Sequence, residues 1–317
     1  MKVLVTGGAG FIGSCLSKRL IELGHDVTII DDLSTGSLEN VPKDSRFIQA
    51  SILDRKAVAL AMEGEEIVFH LAAVSSVALC NSNPYLAMKV NNVGLWYCWN
   101  QAVVSGVRKF VLASSASVYG DRGFESLKED MEPHPLSVYA NTKLQAEMFC
   151  QAGAEGLKSL ILRYFNVIGD DQTLAGDWII PNFFDCVAKG QSLKVYGTGK
   201  DRRDYIFVED VVDATLFLAF HDCEGVYNVG TGITMSVNGI VDAFSTLYGR
   251  FDVEHIPARQ GDLPYSCADI LKLKSAGFEP QGTFLDGLKR IAGRKGLHAQ
   301  PNQTTIDGDC AVQGNIN

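Results

Sequence analysis

The stretch KVLVTGGAGFIG, residues 2–13, decides how this chain folds. A short run rich in valine leads into a glycine loop, and an apolar helical pattern starts directly after the glycines. Gly7, Gly10 and Gly13 are spaced three residues apart, and Gly8, Gly10 and Gly13 together satisfy the pattern G-x-G-x-x-G. Glycines there permit a tight turn and allow a pyrophosphate to approach the backbone at a helix N-terminus. We therefore predict a strand–loop–helix unit that binds a dinucleotide.

Short β-branched runs alternate with longer helical patterns through the first half of the chain. The predicted strands are 2–6, 26–30, 46–50, 66–70, 109–114 and 159–164, and the predicted helices are 12–23, 55–62, 85–105 and 138–152. Buried strands that alternate with helices are typical of a parallel sheet with helices on both faces. The predicted fold class is α/β, with a Rossmann-type doubly wound parallel sheet.

The second half is less regular. Its predicted elements are a helix near 181–189, a strand near 205–208, a helix at 210–220 and a strand at 226–229. No linker is evident, so we expect a smaller α/β substrate lobe over 166–292, interleaved with a Rossmann domain over 1–165 that about 203–232 rejoins. Residues 293–317 are polar and aperiodic, and we predict a disordered tail there.

Bulk composition excludes several classes of partner. The 317 residues include 28 basic and 37 acidic side chains, and a net charge of -9 argues against a nucleic-acid or anionic-membrane partner. Eight scattered cysteines contain no Cys-x-x-Cys pair, so we predict neither a metal site nor a disulfide framework. No apolar run approaches the roughly 18 residues that span a bilayer, and the N-terminus lacks a signal-peptide pattern. We expect a water-soluble, cytoplasmic protein.

Two carboxylates follow the second predicted strand. Asp31 lies eighteen residues after Gly13, where a carboxylate accepts hydrogen bonds from the adenosine ribose. Asp31 and Asp32 would repel a 2′-phosphate, and the next arginine along the chain is Arg46. The sequence therefore favours NAD over NADP.

The segment SVYANTK, residues 137–143, places Tyr139 four residues before Lys143. Residues four apart share a helix face, and the pair by itself is also compatible with an ordinary amphipathic helix. A phenol with a pKa near 10 is a poor base at neutral pH, whereas a nearby ammonium favours the phenolate. We expect Lys143, helped by the positive nicotinamide ring of bound NAD, to lower the pKa of Tyr139.

A set of motifs carries a resemblance to a known family. They are TGGAGFIG, DDLSTG (31–36), HLAA (70–73), ASSASVYG (113–120), YANTK (139–143), LRYFNVIG (162–169), RDYIFVED (203–210), YNVGTG (227–232) and RQGDLPYS (259–266). In this order they resemble the extended short-chain dehydrogenase/reductase family, and within it the nucleotide-sugar epimerase branch typified by UDP-glucose 4-epimerase. The resemblance runs to about residue 290.

The resemblance implies a catalytic role for three residues. Tyr139 would exchange the proton of a sugar 4-hydroxyl, Ser115 would hydrogen-bond the same oxygen, and Lys143 would hold the nicotinamide ribose. The implied reaction inverts C4 of a UDP-hexose through a transient 4-keto sugar, with NAD regenerated and retained.

The resemblance also implies a set of cofactor-binding residues. They are Gly7, Gly10, Phe11, Ile12, Gly13, Asp31, Asp32, Ser34, Ser51, Ile52, Leu71, Ala72, Ala73, Asn91, Tyr139 and Lys143. Two departures stand out, because Ala50-Ser51 replaces the usual Gly-Asp and Gly94-Leu95 replaces the usual Gly-Thr.

The implied substrate-binding residues are Ser115, Asn166, Arg203, Tyr205, Arg259 and Ser266. Two arginines suit a pyrophosphate because guanidinium groups form paired, charge-assisted hydrogen bonds. Ser266 matches a gate position that is small in relatives accepting N-acetylated sugars. We therefore expect UDP-GlcNAc/UDP-GalNAc, alongside or instead of UDP-Glc/UDP-Gal.

Alternatives remain at this point. Dehydratases of the family usually carry Asp-Glu after the residue equivalent to Ser115, and decarboxylases tend to carry Glu in the second place, whereas this chain has Ala116 and Ser117. That favours epimerisation, but a dehydratase or reductase, or a non-catalytic NAD-binding regulatory protein, stays open. The resemblance further implies a homodimer formed through helices near LWYCWNQ (95–101), although packing against the sheet is the simpler interpretation of these aromatic residues.

Overall fold

The computed structural model describes residues 1–169, 178–258 and 263–297. Its strands and helices, in chain order, are β1 (Lys2–Thr6), α1 (Phe11–Glu22), β2 (Asp26–Asp31), β3 (Arg46–Gln49), α2 (Arg55–Ala61), β4 (Ile67–His70), α3 (Val77–Ser82), α4 (Pro84–Met88), α5 (Leu95–Val104), β5 (Lys109–Ser115), β6 (Ser126–Leu127), α6 (Val138–Gln151), β7 (Lys158–Tyr164), β8 (Asn166–Ile168), α7 (Ile179–Lys189), β9 (Leu193–Tyr196), β10 (Arg202–Phe207), α8 (Val208–Phe220), β11 (Gly225–Val229), β12 (Thr234–Ser236), α9 (Val237–Tyr248), β13 (Val253–Ile256), β14 (Tyr265–Ala268), α10 (Leu271–Ser275) and α11 (Phe284–Arg294).

Seven parallel strands form the main sheet, in the order β11-β7-β5-β4-β1-β2-β3. The chain moves outward from β1 through β2 to β3, then returns to β4 on the other side of β1 and continues outward to β11. This reversal creates a crevice at the carboxyl ends of β1 and β4, where open α/β sheets bind ligands. The predicted fold class, a Rossmann-type doubly wound sheet, is confirmed.

Alternate residues of β1 explain why the sheet is covered on both faces. Val3 and Val5 belong to a core shared with α1 and α8, whereas Leu4 belongs to a second core shared with α2, α5 and α6. All three side chains have no exposed surface. Since successive side chains of a strand point to opposite faces, a continuous apolar run needs helices on both sides.

A smaller sheet follows the order β12-β10-β14-β6, with β8 also paired to β10. Most of its strands, like the two-stranded sheet of β9 and β13, belong to the second half of the chain, whereas β6 comes from the first half. The core of the smaller sheet contains the buried rings of Phe183, Phe184 and Phe244. Between β10 and β12, the chain returns to the main sheet through β11. The division into lobes at 1–165 and 166–292 stays a prediction.

Some sequence expectations need correction. The predicted helix 85–105 is α4 and α5 joined by a π-helical turn at Lys89–Gly94. The second half contains short strands that the sequence did not predict, namely β8, β9, β12, β13 and β14, and the first half contains β6, because strands of two to four residues leave little periodicity to detect. Helix α11 continues to Arg294, past position 293, where we expected the tail to begin. Residues 298–317 lie outside the described residues.

The glycine loop after β1 owes its shape to close backbone contacts. Gly7 has a φ of +73°, a conformation that other residues rarely adopt. A Cβ atom on Gly13 would lie 2.1 Å from the carbonyl oxygen of Gly7. Because that neighbour is backbone, it cannot move aside without opening the loop.

Replacement of Gly13 by alanine should therefore damage the fold. We expect Gly13→Ala to lower the free energy of unfolding by about 3 kcal/mol, as overpacking does. Gly293 in α11 has open space around it and is the matched control. Gly293→Ala should leave stability unchanged or raise it by up to about 1 kcal/mol, since alanine favours helix. Urea unfolding followed by circular dichroism measures both, and equal midpoints for Gly13→Ala and the unmodified protein would contradict the contact.

Candidate active site

Helix α6 carries Tyr139 and Lys143 on one face. It begins after Ser137, whose hydroxyl accepts a hydrogen bond from the backbone N–H of Ala140 at 3.1 Å and so caps the helix. The Nζ atom of Lys143 lies 5.8 Å from the centroid of the Tyr139 ring and donates to the carbonyl oxygen of Ala113 at 2.8 Å. The lysine is buried, at 6% exposed. Its charge is therefore directed towards the sheet and the tyrosine, and not into solvent.

Ser115 ends β5 at the carboxyl edge of the main sheet. Its hydroxyl oxygen accepts the backbone N–H of Ser117 at 3.2 Å, which turns the chain into a 3₁₀ helix at Ala116–Tyr119. The same side chain hydrogen-bonds that of Tyr139. The structure therefore brings Ser115, Tyr139 and Lys143 together.

The pKa of Tyr139 does not follow the sequence expectation. Burial raises this pKa to about 12, the hydrogen bond with Ser115 opposes the rise, and Lys143 is not among the groups that shift it. Burial also lowers the pKa of Lys143 to about 8. The lysine donates to a carbonyl and not to the phenol, so the expected lowering of the Tyr139 pKa by Lys143 is wrong for the chain alone. The protein by itself holds a neutral phenol at neutral pH.

The loop between β1 and α1 fits a pyrophosphate. No side chain caps α1 at Gly10, and its first turn contains no acidic residue. The backbone N–H groups at Phe11, Ile12 and Gly13 therefore lack a side-chain partner, and the helix dipole favours an anion there. A Cβ on Gly10 would meet only the carbonyl oxygen of Gly7, at 3.3 Å. The loop thus leaves the space and the donors that a dinucleotide requires.

Asp31 fixes the neighbouring loop. Its two carboxylate oxygens accept the backbone N–H groups of Ala9 at 2.9 Å and Leu33 at 2.8 Å. Each oxygen keeps a further lone pair that a ribose hydroxyl could use. Asp32 is exposed, and its carboxylate accepts the N–H of Ser34, also exposed, at 3.0 Å. Both aspartates lie where a negative 2′-phosphate would be repelled.

The segment after β4 completes the floor of the crevice. The N–H groups of Leu71 and Ala72 donate to the backbone and hydroxyl oxygens of Thr6 at 3.1 and 3.2 Å. A Cβ on Gly7 would lie 2.7 Å from the nitrogen of Ala72, so the loop and this segment are in contact. Ala73 follows, partly buried. The glycine loop and residues 71–73 therefore form one continuous surface.

Three predicted cofactor residues have side chains that contact other residues of the protein. Asn91 accepts the N–H of Val74 at 2.7 Å, and its amide donates to the carbonyl of Val74 at 3.1 Å and to the hydroxyl of Thr142 at 3.0 Å. Ile52 is 4% exposed, and a Cβ on Gly94 would lie 2.6 Å from its Cδ1. The hydroxyl of Ser51 accepts the N–H of Leu53 at 3.4 Å.

Asn91 therefore holds helix α6 in place. Both of its amide hydrogens are already donated within the chain, which leaves one carbonyl lone pair for any ligand. Thr142, its partner, lies on α6 between Tyr139 and Lys143. The π-helical turn brings Asn91 to this position, and such turns are frequent at functional sites.

The predicted substrate residues lie on adjacent strands of the smaller sheet. Tyr205 on β10 is in register with Asn166 on β8, and Arg203 on β10 is in register with Ser266 on β14. Arg203 and Tyr205 are two residues apart and so share a face of the strand. Ser266 is 8% exposed. Arg259 lies outside the described residues.

Asp204 is a residue that the sequence analysis missed. Its buried carboxylate accepts hydrogen bonds from the N–H groups of Thr231 at 2.9 Å, Gly232 at 2.8 Å and Ala268 at 3.2 Å. It therefore ties β10 to β14, the two strands that carry Arg203 and Ser266. Its hydrogen-bond partners lie 27, 28 and 64 residues further along the chain, so no local sequence pattern indicated this role.

Two features are absent from the part of the chain that the structure describes. No group of three or more His, Cys, Asp or Glu side chains in residues 1–169, 178–258 and 263–297 could hold a metal ion. Over the same ranges, no helix combines the length and the apolar character that a bilayer crossing requires.

Comparisons with known proteins place the chain in a family. The sequence model of the NAD dependent epimerase/dehydratase family matches residues 3–230. The UDP-glucose 4-epimerase of Mycolicibacterium smegmatis is 36% identical over 303 residues, which cover 92% of this chain and 97% of that protein. The UDP-N-acetyl-alpha-D-glucosaminuronate decarboxylase of Bacillus cytotoxicus is 31% identical over 310 residues, covering 91% of this chain and 95% of that protein.

The likeness extends to solved structures. The crystal structure of UDP-glucose 4-epimerase from Thermotoga maritima with UDP-glucose has a TM-score of 0.89 and 35% identity, and the match covers 94% of this chain and 100% of that one. The chain belongs to the NAD dependent epimerase/dehydratase family.

Proposed function

We propose that the protein inverts C4 of a UDP-hexose, as an NAD-dependent nucleotide-sugar 4-epimerase. The observation that carries the proposal is the convergence of Ser115, Tyr139 and Lys143 at the carboxyl edge of the sheet, beside the crevice at the switch point. NAD is the cofactor of this family, and the uncapped start of α1 suits its pyrophosphate. Bound NAD would take a hydride from the sugar carbon and return it to the opposite face.

The chain's own residues would manage the proton. Tyr139 removes the proton of the 4-hydroxyl and later returns it, while Ser115 donates a hydrogen bond to the same oxygen. Burial keeps Tyr139 neutral in the chain alone. Its ionisation therefore requires a further positive charge, which the nicotinamide ring of bound NAD would supply. Lys143 supplies a fixed, buried cation one turn away. His70, also nearby, stays neutral because burial lowers its pKa to about 3.

The alternatives make different demands on the site. A dehydratase or decarboxylase needs an acid or base near C5 and C6, and the turn after Ser115 offers only Ala116 and Ser117 there. A reductase would consume its cofactor in proportion to product. A non-catalytic NAD-binding protein would not need Ser115, Tyr139 and Lys143 together.

A sealed assay with one UDP-sugar and no added cofactor tests the proposal. The NAD-loaded protein should return a mixture of C4 isomers, measured by chromatography or NMR, without net NADH. We expect Tyr139→Phe to lower kcat by about 1,000-fold, since it removes the general base. Tyr85→Phe is the control, because Tyr85 is 76% exposed on α4 and should leave kcat unchanged.

Other results would favour another function. A stable 4-keto product indicates a dehydratase, stoichiometric NADH consumption indicates a reductase, and unchanged substrate indicates a regulatory protein. Full activity of Tyr139→Phe would refute the proposed proton transfer.

The proposed substrates are UDP-GlcNAc and UDP-GalNAc, alongside or instead of UDP-Glc and UDP-Gal. Ser266 is in register with Arg203, so the proposed gate lies next to a proposed phosphate-binding group. A serine leaves room that a larger side chain would fill.

Enlarging the gate should change specificity. We expect Ser266→Tyr to lower kcat/KM for the N-acetylated pair by about 100-fold while changing the plain pair less than about threefold, a steric effect of a few kcal/mol. Ser275→Tyr, at an exposed position of α10, is the control. Strict refusal of the N-acetylated pair by the unmodified protein would remove this part of the proposal.

We further propose a homodimer formed through α5 and α6. Neither helix exposes a charged side chain, because α5 contains none and Lys143 and Glu147 of α6 are both buried. Met148 and Phe149 on α6 are 60% and 43% exposed, and Trp96 on α5 is 40% exposed. Surface helices normally carry charge on their outer face, whereas interface cores are poor in charge and rich in aromatic residues and Met. In a two-fold dimer the same face of each subunit would meet, so this apolar face would pack against its own copy.

A charge on this face should separate the subunits. Met148→Glu would bury two unpaired carboxylates per dimer, and we expect the dissociation constant to rise by about 100-fold. Leu271→Glu, 67% exposed on α10, is the control and should leave assembly unchanged. Sedimentation velocity measures both, and an unmodified protein that is monomeric at micromolar concentration would exclude the dimer.

A cytoplasmic location is also part of the proposal. No disulfide joins the seven cysteines of the described residues, several of them buried. Unpaired thiols suit a reducing compartment.

A further inference from the structure

A buried carboxylate lies one helical turn beyond Lys143, and the mechanism above does not use it. Glu147 is 1% exposed and shares the helix face of Lys143. Arg163 on β7 donates to its two oxygens from Nε at 3.0 and 3.2 Å and from Nη2 at 2.7 Å. The hydroxyl of Ser114 donates to the same carboxylate. Helix α6 and strands β5 and β7 therefore meet at one ion pair.

Arg163 extends this contact to the turn that follows Ser115. Its guanidinium carbon lies 4.6 Å from the ring centroid of Tyr119, the last residue of that turn. The Tyr119 hydroxyl in turn donates to the Asn228 side chain on β11 at 2.7 Å. Ser114 directly precedes Ser115. The ion pair thus holds the chain on both sides of the proposed catalytic serine.

Several titratable groups lie close enough to the Lys143 ammonium to interact with it. They are the thiol of Cys80 on α3, the imidazole of His70 at the end of β4, and Tyr139 and Glu147 on α6 itself. Burial lowers the pKa of Lys143 most strongly, whereas Cys80 and Glu147 raise it. Burial also raises the pKa of the Cys80 thiol, so that group is uncharged near neutral pH. Glu147 is therefore the member of this set that carries a negative charge.

Stability alone is a weak reason for such an ion pair. Removing two charges from water costs free energy that their attraction only partly returns, so a well-packed apolar pair would serve a merely structural purpose. A carboxylate placed one turn from a buried ammonium has a second effect, because it opposes the loss of that charge.

We propose that Glu147 is a positioning residue of the active site, whose carboxylate, fixed by Arg163 and Ser114, keeps Lys143 charged and holds the catalytic helix against the strand of Ser115. The inference rests on the proposed function, which gives Lys143 its role as a fixed cation. Glu147 acts through Lys143 and Ser114 and does not itself contact the substrate.

The ionisation of Lys143 tests this directly. We would titrate NAD-loaded, full-length protein labelled with [ε-¹³C]lysine, and assign the Lys143 signal by its absence from Lys143→Met. Glu147→Gln keeps the size and removes the charge. We expect the Lys143 midpoint to fall by about one pH unit in this variant, and kcat to decline at correspondingly lower pH. An identical Lys143 titration in both proteins overturns the proposal.

Two further variants keep the test decisive. If Glu147→Gln alone does not fold, because it leaves Arg163 unpaired, the double variant Glu147→Gln/Arg163→Met removes both charges. The Lys143 midpoint should still fall in the double variant, but by less than the roughly one pH unit expected for the single variant, because loss of the Arg163 cation partly offsets loss of the carboxylate. Asp204→Asn is the control, because it is also a buried carboxylate-to-amide change. The Asp204 carboxylate bonds to Thr231, Gly232 and Ala268, so this variant should leave the Lys143 titration unchanged. A fall of the midpoint in Asp204→Asn as well would contradict the assignment to Glu147.

The titration is independent of the proposed reaction. If the unmodified protein produces no C4 isomers but the Lys143 midpoint still falls in Glu147→Gln, the proposed function fails and the assignment of Glu147 stands. If isomers form and the midpoint does not move, the function stands and the assignment fails.

Discussion

The burial of Lys143, with Tyr139 partly buried beside it, is the constraint on which the site depends. Burial works against a charge on either side chain, raising the pKa of the phenol to about 12 and lowering that of the ammonium to about 8. The chain compensates with the carbonyl of Ala113, the hydroxyl of Ser115 and the carboxylate of Glu147. A low-polarity site of this kind strengthens every remaining charge interaction, including those that a ligand would bring.

Most polar groups around Tyr139 and Lys143 are hydrogen-bonded within the chain, and these bonds fix the position of helix α6. The Asn91 amide joins the segment after β4 to Thr142 on α6, while the Glu147–Arg163 pair joins α6 to β5 and β7. An unpaired polar group costs more in such an interior than in water, so each hydrogen bond narrows the arrangements that the helix can adopt. Two networks therefore hold helix α6, one at Thr142 and the other at Glu147.

In the smaller sheet, which carries the residues proposed to bind substrate, a buried polar group also fixes the positions of strands. Asp204 accepts backbone hydrogen bonds from two separate segments, so strands β10 and β14 keep a fixed register. Arg203 and Tyr205 precede and follow Asp204 in the strand. Their side chains therefore lie on the opposite face of the strand from the Asp204 carboxylate. The lobe can thus present one face to a ligand while the buried carboxylate maintains its geometry.

The sequence by itself determined the doubly wound sheet, the glycine loop and the Tyr139–Lys143 spacing, because apolar runs, glycines and four-residue periodicity are local properties. It did not determine the short strands of the smaller sheet or the π-helical turn at Asn91. It did not show that burial raises the pKa of Tyr139 in the chain alone. Only the tertiary structure decided which distant residues, such as Ser114, Glu147 and Arg163, share a hydrogen-bond network, because desolvation and contact between elements are properties of the packed chain.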